Sequence, residues 1–139
     1  AKFHVTRIPD RADDRPSTSG HHLRLMTIRS EGQFNTVVYD EEDLYRHQER
    51  RDVILMHPAD IARFGLCVDQ RVSIHSTTGG MSGILVREFD IRAGNAAMYY
   101  PESNVLVSTA ADPESRTPAF KSIAITIVPE PTGLPVLRV

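Results

Sequence analysis

The chain has 139 residues, of which 40% are hydrophobic and 24% charged, a composition typical of one globular domain. A net charge of −2 and only 6% aromatic residues without tryptophan argue against a nucleic-acid partner, which calls for a basic surface or a stacking platform. The single cysteine excludes an internal disulfide and a cysteine-built metal or iron–sulfur site, and no run approaches the ~20 apolar residues of a membrane span, so we predict no membrane insertion.

The first half of the chain predicts two strands separated by long polar segments. Residues 1–22 predict a short N-terminal strand at 2–8 and a linker-like loop. Residues 23–29 alternate between apolar and polar, as a half-buried strand does. Residues 35–51 are polar and predict a long loop with at most one turn of helix near 41–45. A buried strand is predicted at 53–56.

The second half predicts a helix and further short strands. Pro58 begins a helix that Gly65 ends, with His57 and Asp60 shaping its start, and Cys67 after it is predicted to be packed. A hairpin joins 71–76 to 81–89, and strands follow at 96–100, 105–109 and 121–128. Short strands with Gly and Pro turns indicate a β-barrel over residues 23–128, and residues 129–139 predict a surface tail.

Common catalytic signatures are missing from the sequence. There is no Gly-x-Ser-x-Gly, no phosphate-binding loop and no His-Glu-x-x-His. No two of the six histidines have the helical i, i+4 spacing of paired metal ligands. We therefore predict neither a catalytic residue nor a metal ligand in this chain.

Three polar segments are candidates for ligand binding. The first, TIRSEGQFNT at 27–36, ends a strand in Arg29 and then presents Gln33 and Asn35 on a glycine-containing turn. Arginine suits phosphate and amides suit the edge of a heterocycle, although a polar loop that satisfies its own backbone explains the segment equally well. The second segment contains Asn104. The third contains Lys121, which either points into water or reaches an anion.

In this order and spacing, the segments resemble the C-terminal domain of the molybdopterin guanine dinucleotide oxidoreductases, the superfamily of formate dehydrogenases, nitrate reductases and dimethyl sulfoxide reductases. The resemblance covers residues 23–128, with HPADIARFG at 57–65 as its middle marker. The motifs TIRSEGQFNT and, at 99–106, YYPESNVL look most similar to formate dehydrogenase-like alpha subunits. The family often has Gly-Asp where this chain has Asp69-Gln70.

The resemblance implies a six-stranded double-psi β-barrel with one or two short helices. It also implies a molybdopterin guanine dinucleotide cofactor, whose molybdenum or tungsten is held by other domains together with any iron–sulfur cluster. Carried over by position, the residues that line the pterin and pyrophosphate are Thr27, Arg29, Ser30, Gln33 and Asn35. Asn104 meets the pterin or nucleotide, and Phe120 and Lys121 close the pocket.

The implied partners are the remaining domains of a parent oxidoreductase. Because the chain begins at Ala1 and not at Met, we expect it to be a segment of a longer cytoplasmic protein (a folded protein exported to the periplasm would look the same). The isolated chain is then expected to be inactive and to bind the cofactor weakly or not at all.

Two alternatives stay open. One is a free-standing small subunit, as in formylmethanofuran dehydrogenases, and the other is a double-psi barrel used for protein recognition, as in some hexameric ATPases. A self-processing decarboxylase with the same barrel is excluded, because it needs a Gly-Ser bond that this sequence lacks.

Overall fold

The computed structural model describes residues 20–34 and 38–131. Within these residues the chain forms six strands, β1 (His22–Ile28), β2 (Val53–Met56), β3 (Arg71–His75), β4 (Gly80–Glu88), β5 (Asn95–Tyr99) and β6 (Ile123–Pro129). A short helix, α1 (Pro58–Arg63), follows β2, and a 3₁₀-helix, η1 (Glu102–Leu106), follows β5. The predicted strand at 2–8, Asn35 and residues 132–139 of the predicted tail lie outside the described residues.

The strands close into a barrel in the order β1-β5-β2-β4-β3-β6. β1 is parallel to β5 and β2 is parallel to β4, whereas the other four pairs are antiparallel. Exchanging β1, β2 and β3 with β4, β5 and β6 maps every pair onto a pair of the same direction. This internal twofold pattern with two parallel pairs is that of the double-psi β-barrel, and the predicted fold is confirmed.

The barrel interior is filled by the inward residues of the alternating strands. In β1, Leu23, Leu25 and Thr27 are buried, and Leu25 pairs with Ala96 of β5 on one side and Ile123 of β6 on the other. β2 differs, because all four of its residues are buried. Ile54 and Met56 join the main core, whereas Val53 and Leu55 join a second cluster with Tyr99. Both faces of β2 are therefore covered.

Helix α1 begins as the sequence predicts. The His57 Nδ1 accepts a hydrogen bond from the Ala59 N–H (3.0 Å) and caps the helix. Asp60 is buried, pairs with Arg63 at 2.8 Å and accepts a hydrogen bond from the Gly94 N–H at 2.6 Å. The predicted structural role of His57 and Asp60 is thus confirmed.

The strand predicted at 105–109 is wrong. The chain forms η1 there, because it turns back on itself after Pro101. The Asn104 N–H donates to the Pro101 carbonyl (2.9 Å) and the Val107 N–H to the Asn104 carbonyl (3.0 Å). The buried Ser103 hydroxyl donates to the Tyr99 carbonyl (2.7 Å), which anchors η1 to β5. Each of the other predicted strands within the described residues differs from the observed one by at most two residues at either end.

Two turn residues near α1 also differ from simple expectation. Cys67 is exposed and not packed, since its backbone N–H turns toward the Gln70 side chain (2.9 Å) in a surface turn. Asp69 has a φ of 64°, in the left-handed region that favours glycine but tolerates aspartate. This is the position at which the resembling family often has glycine, and the positive φ of Asp69 is a conformation that glycine adopts without strain.

Candidate functional site

A cleft of about 750 Å³ lies where β1 and β5 end. These strands are parallel, so the residues that follow them, Arg29 and Tyr100, emerge at the same edge of the barrel. The turn before β6 approaches the same edge, because the Thr27 N–H donates to the Phe120 carbonyl at 3.0 Å. The residues that line the cleft are Thr27, Ile28, Arg29, Arg46, Tyr100, Asn104, Val107, Ser108, Thr109, Pro118, Phe120 and Lys121.

Five of the eight predicted ligand-binding residues line this single cleft. The structure brings together Thr27, Arg29, Asn104, Phe120 and Lys121, which come from three separate segments of the sequence. Parallel pairing of β1 and β5 supplies the first two segments, and the turn before β6 supplies the third. The topology of the barrel therefore explains why polar residues so far apart in sequence meet.

Ser30 and Gln33 do not line the cleft. Both are buried, and the Gln33 amide donates to the Tyr100 carbonyl (3.0 Å) while its oxygen accepts from the Ser30 N–H (3.2 Å). Arg51 donates to the Ser30 hydroxyl at 2.7 Å and to the Gln33 oxygen at 3.3 Å. In this structure both side chains hold the turn together, and a contact between either of them and a cofactor stays a prediction.

Arg51, like Arg46 of the cleft lining, is a residue of the site that the sequence did not predict. Its side chain is only 2% exposed, and it donates to both Glu102 oxygens (2.6 and 3.1 Å) and to the Tyr100 carbonyl (2.5 Å). Burial opposes ionisation of Glu102, but the hydrogen bond from Arg51, together with a backbone hydrogen bond and the charge of Arg51, outweighs it and lowers the pKa of Glu102. The guanidinium also lies over the Tyr39 ring at 3.6 Å. Arg51 therefore ties together the segments that carry Arg29 and Asn104.

The cleft is cationic. Arg29, Arg46 and Lys121 line it, and no carboxylate does among the described lining residues. Burial, and then the charge of Arg29, lower the pKa of Lys121, whose ammonium donates to the Thr27 carbonyl. Two cations held close enough to disfavour each other's charge gain most from an anionic ligand between them. Phosphate is a ligand that such a pair would suit.

The remaining lining suits a flat, partly polar ring. Ile28, Val107 and Phe120 offer apolar contacts, and Tyr100 adds an aromatic face with the Arg29 guanidinium 5.9 Å from its centroid. Asn104 offers both a donor and an acceptor. The cleft thus combines groups for an anion with groups for a heterocycle.

Neither a metal cluster nor a membrane span is found in the part of the chain that the structure describes. No group of three or more His, Cys, Asp or Glu side chains there could hold a metal ion. No helix there is long and apolar enough to cross a bilayer.

The chain is thus a closed double-psi barrel with a cationic, partly apolar cleft at one edge, and the lining of this cleft suits an anionic ligand with a ring system. Residues 23–124 match the family described as "Molydopterin dinucleotide binding domain". The chain belongs to this family of molybdopterin dinucleotide-binding domains.

Its curated relatives are much longer proteins. The uncharacterized oxidoreductase Rv2900c of Mycobacterium tuberculosis (strain ATCC 25618 / H37Rv) is 41% identical over an alignment of 120 positions, which covers 77% of this chain and 15% of that protein. The protein YdeP of Escherichia coli (strain K12) is 29% identical over 126 positions, which cover 84% of this chain and 17% of YdeP. The chain therefore spans about 15% of the length of the curated relatives that it matches first.

A solved structure of low sequence identity has the same fold. Acetylene hydratase from Pelobacter acetylenicus superposes with a TM-score of 0.58 at 18% identity, over 78% of this chain and 18% of the hydratase. At this identity the similarity concerns the fold alone.

Proposed function

We propose that this chain binds part of a molybdopterin guanine dinucleotide as the C-terminal domain of a molybdenum or tungsten oxidoreductase. The observation that carries the proposal is the meeting of Arg29, Asn104 and Lys121 in one cleft without a carboxylate among its described lining residues. Membership of the dinucleotide-binding family supports the same ligand.

The donor set of the cleft fits such a cofactor. The guanidinium of Arg29 and the ammonium of Lys121 would hold the pyrophosphate, since charge-assisted hydrogen bonds to phosphate are the strongest that side chains offer. Asn104 would meet a polar ring edge, and Phe120 would cover an apolar face. When bound, the cofactor supplies two-electron redox chemistry at its metal, while the chain binds it, orients it and excludes water.

The rest of the cofactor-binding wall would come from other domains. A chain that matches only 15% of an oxidoreductase relative supports a parent protein that contributes the metal ligand and any iron–sulfur cluster. We expect the isolated chain to be inactive and to bind the cofactor weakly. The motifs at 27–36 and 99–106 favour formate dehydrogenase-like chemistry, and a cytoplasmic parent protein is a separate part of the proposal.

The test is cofactor occupancy of the full-length polypeptide that contains this chain. We expect Arg29→Met combined with Lys121→Met to weaken the affinity for the cofactor about 100-fold and so to deplete pterin and metal in the purified protein, since each charge-assisted hydrogen bond contributes about 10-fold or more to affinity. Arg24→Met is the matched control, because Arg24 lies in the first half of β1 and bonds to Ser122 at 2.7 Å outside the cleft. Unchanged occupancy in the double variant would instead favour a protein-recognition barrel.

Two further measurements separate the finer alternatives. A reading frame that continues upstream of Ala1 into a large alpha subunit supports a domain, and an independent small gene supports a free-standing subunit. Formate-dependent reduction of an artificial electron acceptor by the loaded protein tests the formate dehydrogenase-like assignment. If a fully loaded protein lacks that activity, formate is excluded as the substrate, whereas the proposal of cofactor binding is unaffected.

A further inference from the structure

Residues 43–48 form a compact turn beside the cleft, here called the 43–48 clip. Asp43 and Gln48 form an isolated antiparallel bridge, with the Asp43 N–H donating to the Gln48 carbonyl (2.7 Å) and the Gln48 N–H donating back (3.1 Å). The Gln48 amide also donates to the Arg46 carbonyl at 2.9 Å. The clip is therefore held by its own hydrogen bonds, independently of the cleft.

A buried tyrosine–aspartate pair anchors the clip to the barrel. Asp43 is 1% exposed, and its Oδ2 accepts a hydrogen bond from the Tyr99 hydroxyl of β5 at 2.7 Å. The same oxygen accepts from the Arg46 Nη1 at 2.6 Å. Because Tyr99 is itself fully packed, this chain of contacts fixes the position of the Arg46 guanidinium relative to the strands.

One nitrogen of the Arg46 guanidinium is held by hydrogen bonds within the protein, whereas the other two remain available to a ligand. Nη1 donates to Asp43 and to the Arg29 carbonyl (3.0 Å), which uses both of its hydrogens. Among the described residues, the Nε and Nη2 groups have no hydrogen-bond acceptor. Arg46 is also the one member of the clip among the cleft-lining residues. Three N–H hydrogens of Arg46 thus have no acceptor among the described residues, and at a cationic cleft they can donate hydrogen bonds to an oxyanion.

We propose that Arg46 is a third anion-binding residue of the cleft and that Tyr99 and Asp43 are its positioning residues. The ligand group is a phosphate or pyrophosphate oxygen of the bound cofactor, so the inference rests on the proposed function. The cost of holding Arg46 near Arg29 and Lys121 is reduced by Asp43, which compensates one of the three charges when no ligand is bound.

The experiment is reconstitution of the apo full-length polypeptide with molybdopterin dinucleotide cofactor released from a purified oxidoreductase. We expect Arg46→Gln to raise the concentration for half-saturation about 10-fold or more, the loss of one charge-assisted hydrogen bond. Arg50→Gln is the matched control, because Arg50 pairs with Asp52 on the surface and does not line the cleft. Arg46→Lys keeps the positive charge but loses the planar guanidinium with its parallel N–H donors, and it should give an intermediate concentration for half-saturation.

The positioning role has its own readout. Tyr99→Phe keeps the packed ring and removes the donor to Asp43, and we expect it to weaken binding several-fold in the native background. In the Arg46→Gln background it should add nothing, because its effect on the ligand passes through Arg46. An equal effect of Tyr99→Phe in both backgrounds would overturn the positioning role.

The outcomes also separate this inference from the proposed function. If Arg29→Met weakens binding while Arg46→Gln and Arg46→Lys bind as tightly as Arg50→Gln, Arg46 is not a ligand and the function stands. If the Arg29→Met and Arg46→Gln variants both bind the cofactor as tightly as the control, the proposed function and the further inference are both wrong. Circular dichroism of each variant checks folding, and should Arg46→Gln not fold, the comparison of Arg46→Lys with Arg50→Gln decides.

Discussion

Single residues near the cleft divide into those that line it and those that hold the lining residues in place. Arg29 and Lys121 belong to the first group, and Arg51 belongs to the second. The carboxylate partner of Arg51, Glu102, lies 51 positions away in the sequence. The polar residues of the motif at 27–36 were therefore predictable as a group, but nothing local distinguishes those that face the cleft from Ser30 and Gln33, which face Arg51.

Removing the Arg51 guanidinium should destabilise the fold strongly. Arg51→Met removes the donor to the Glu102 carboxylate and to the Ser30 hydroxyl, and breaking such a buried pair costs about 3 kcal/mol or more. Arg50→Met, which removes a pair whose side chains are 41% and 42% exposed, should cost less than about 1 kcal/mol. Urea unfolding of the chain measures both. Equal losses in the two variants would mean that Arg51 is not a structural centre.

The Tyr99–Asp43 pair predicts a pH-dependent effect. Burial raises the pKa of Asp43, but hydrogen bonds from Arg46, Tyr99 and the backbone, together with the charge of Arg46, outweigh burial and lower it. A carboxyl whose pKa falls on folding stabilises the fold above its unfolded pKa, and this contribution is lost as the pH drops through the folded pKa. We expect Tyr99→Phe to cost about 1–2 kcal/mol at pH 7 and progressively less below about pH 4. Unfolding at pH 7, 5 and 3 tests this, and a deficit independent of pH contradicts it.

Secondary-structure elements were predictable where local signals agree. Pro58 and Gly65 mark α1, and the period-two pattern marks β1, β3 and β6. The run Val105-Leu106-Val107 gave the wrong element because three consecutive apolar residues fit a strand as well as a helical turn. What decides for η1 is the Ser103 bond to the Tyr99 carbonyl, a contact between elements that apolar patterning does not show.

The hydrogen bond between α1 and the turn before β5 should contribute to the stability of the fold. The buried Asp60 carboxylate accepts from the Gly94 N–H, so Asp60→Ala leaves a buried backbone donor unsatisfied. We expect a loss of about 2–3 kcal/mol in the free energy of unfolding. Asp60→Asn keeps an acceptor at the same place and should lose clearly less. Chemical denaturation compares the two, and an alanine variant no weaker than the asparagine variant would show that the bond to Gly94 contributes nothing.

The whole molecule depends on how its two halves interlock. All six strand pairs of the barrel join a strand from β1, β2 and β3 to one from β4, β5 and β6. The sequence pattern locates strands but not their partners, so this pairing followed from the family resemblance and not from periodicity. The cleft also depends on the pairing between the two halves, because Arg29 follows β1 of one half whereas Asn104 and Lys121 lie in the other.

Cutting the chain between β3 and β4 therefore separates every pair of hydrogen-bonded strands. Fragments 1–78 and 79–139 each keep three strands of the barrel, but neither keeps a native barrel neighbour for any of them, and an unpaired strand cannot satisfy its backbone or bury its apolar face. We expect each fragment alone at low micromolar concentration to lack the strand signal in circular dichroism. Their equimolar mixture should recover the signal of the intact chain, because the two halves restore all six pairs. A fragment that is folded and monomeric by itself would show that the native pairing between halves is not what holds the barrel together.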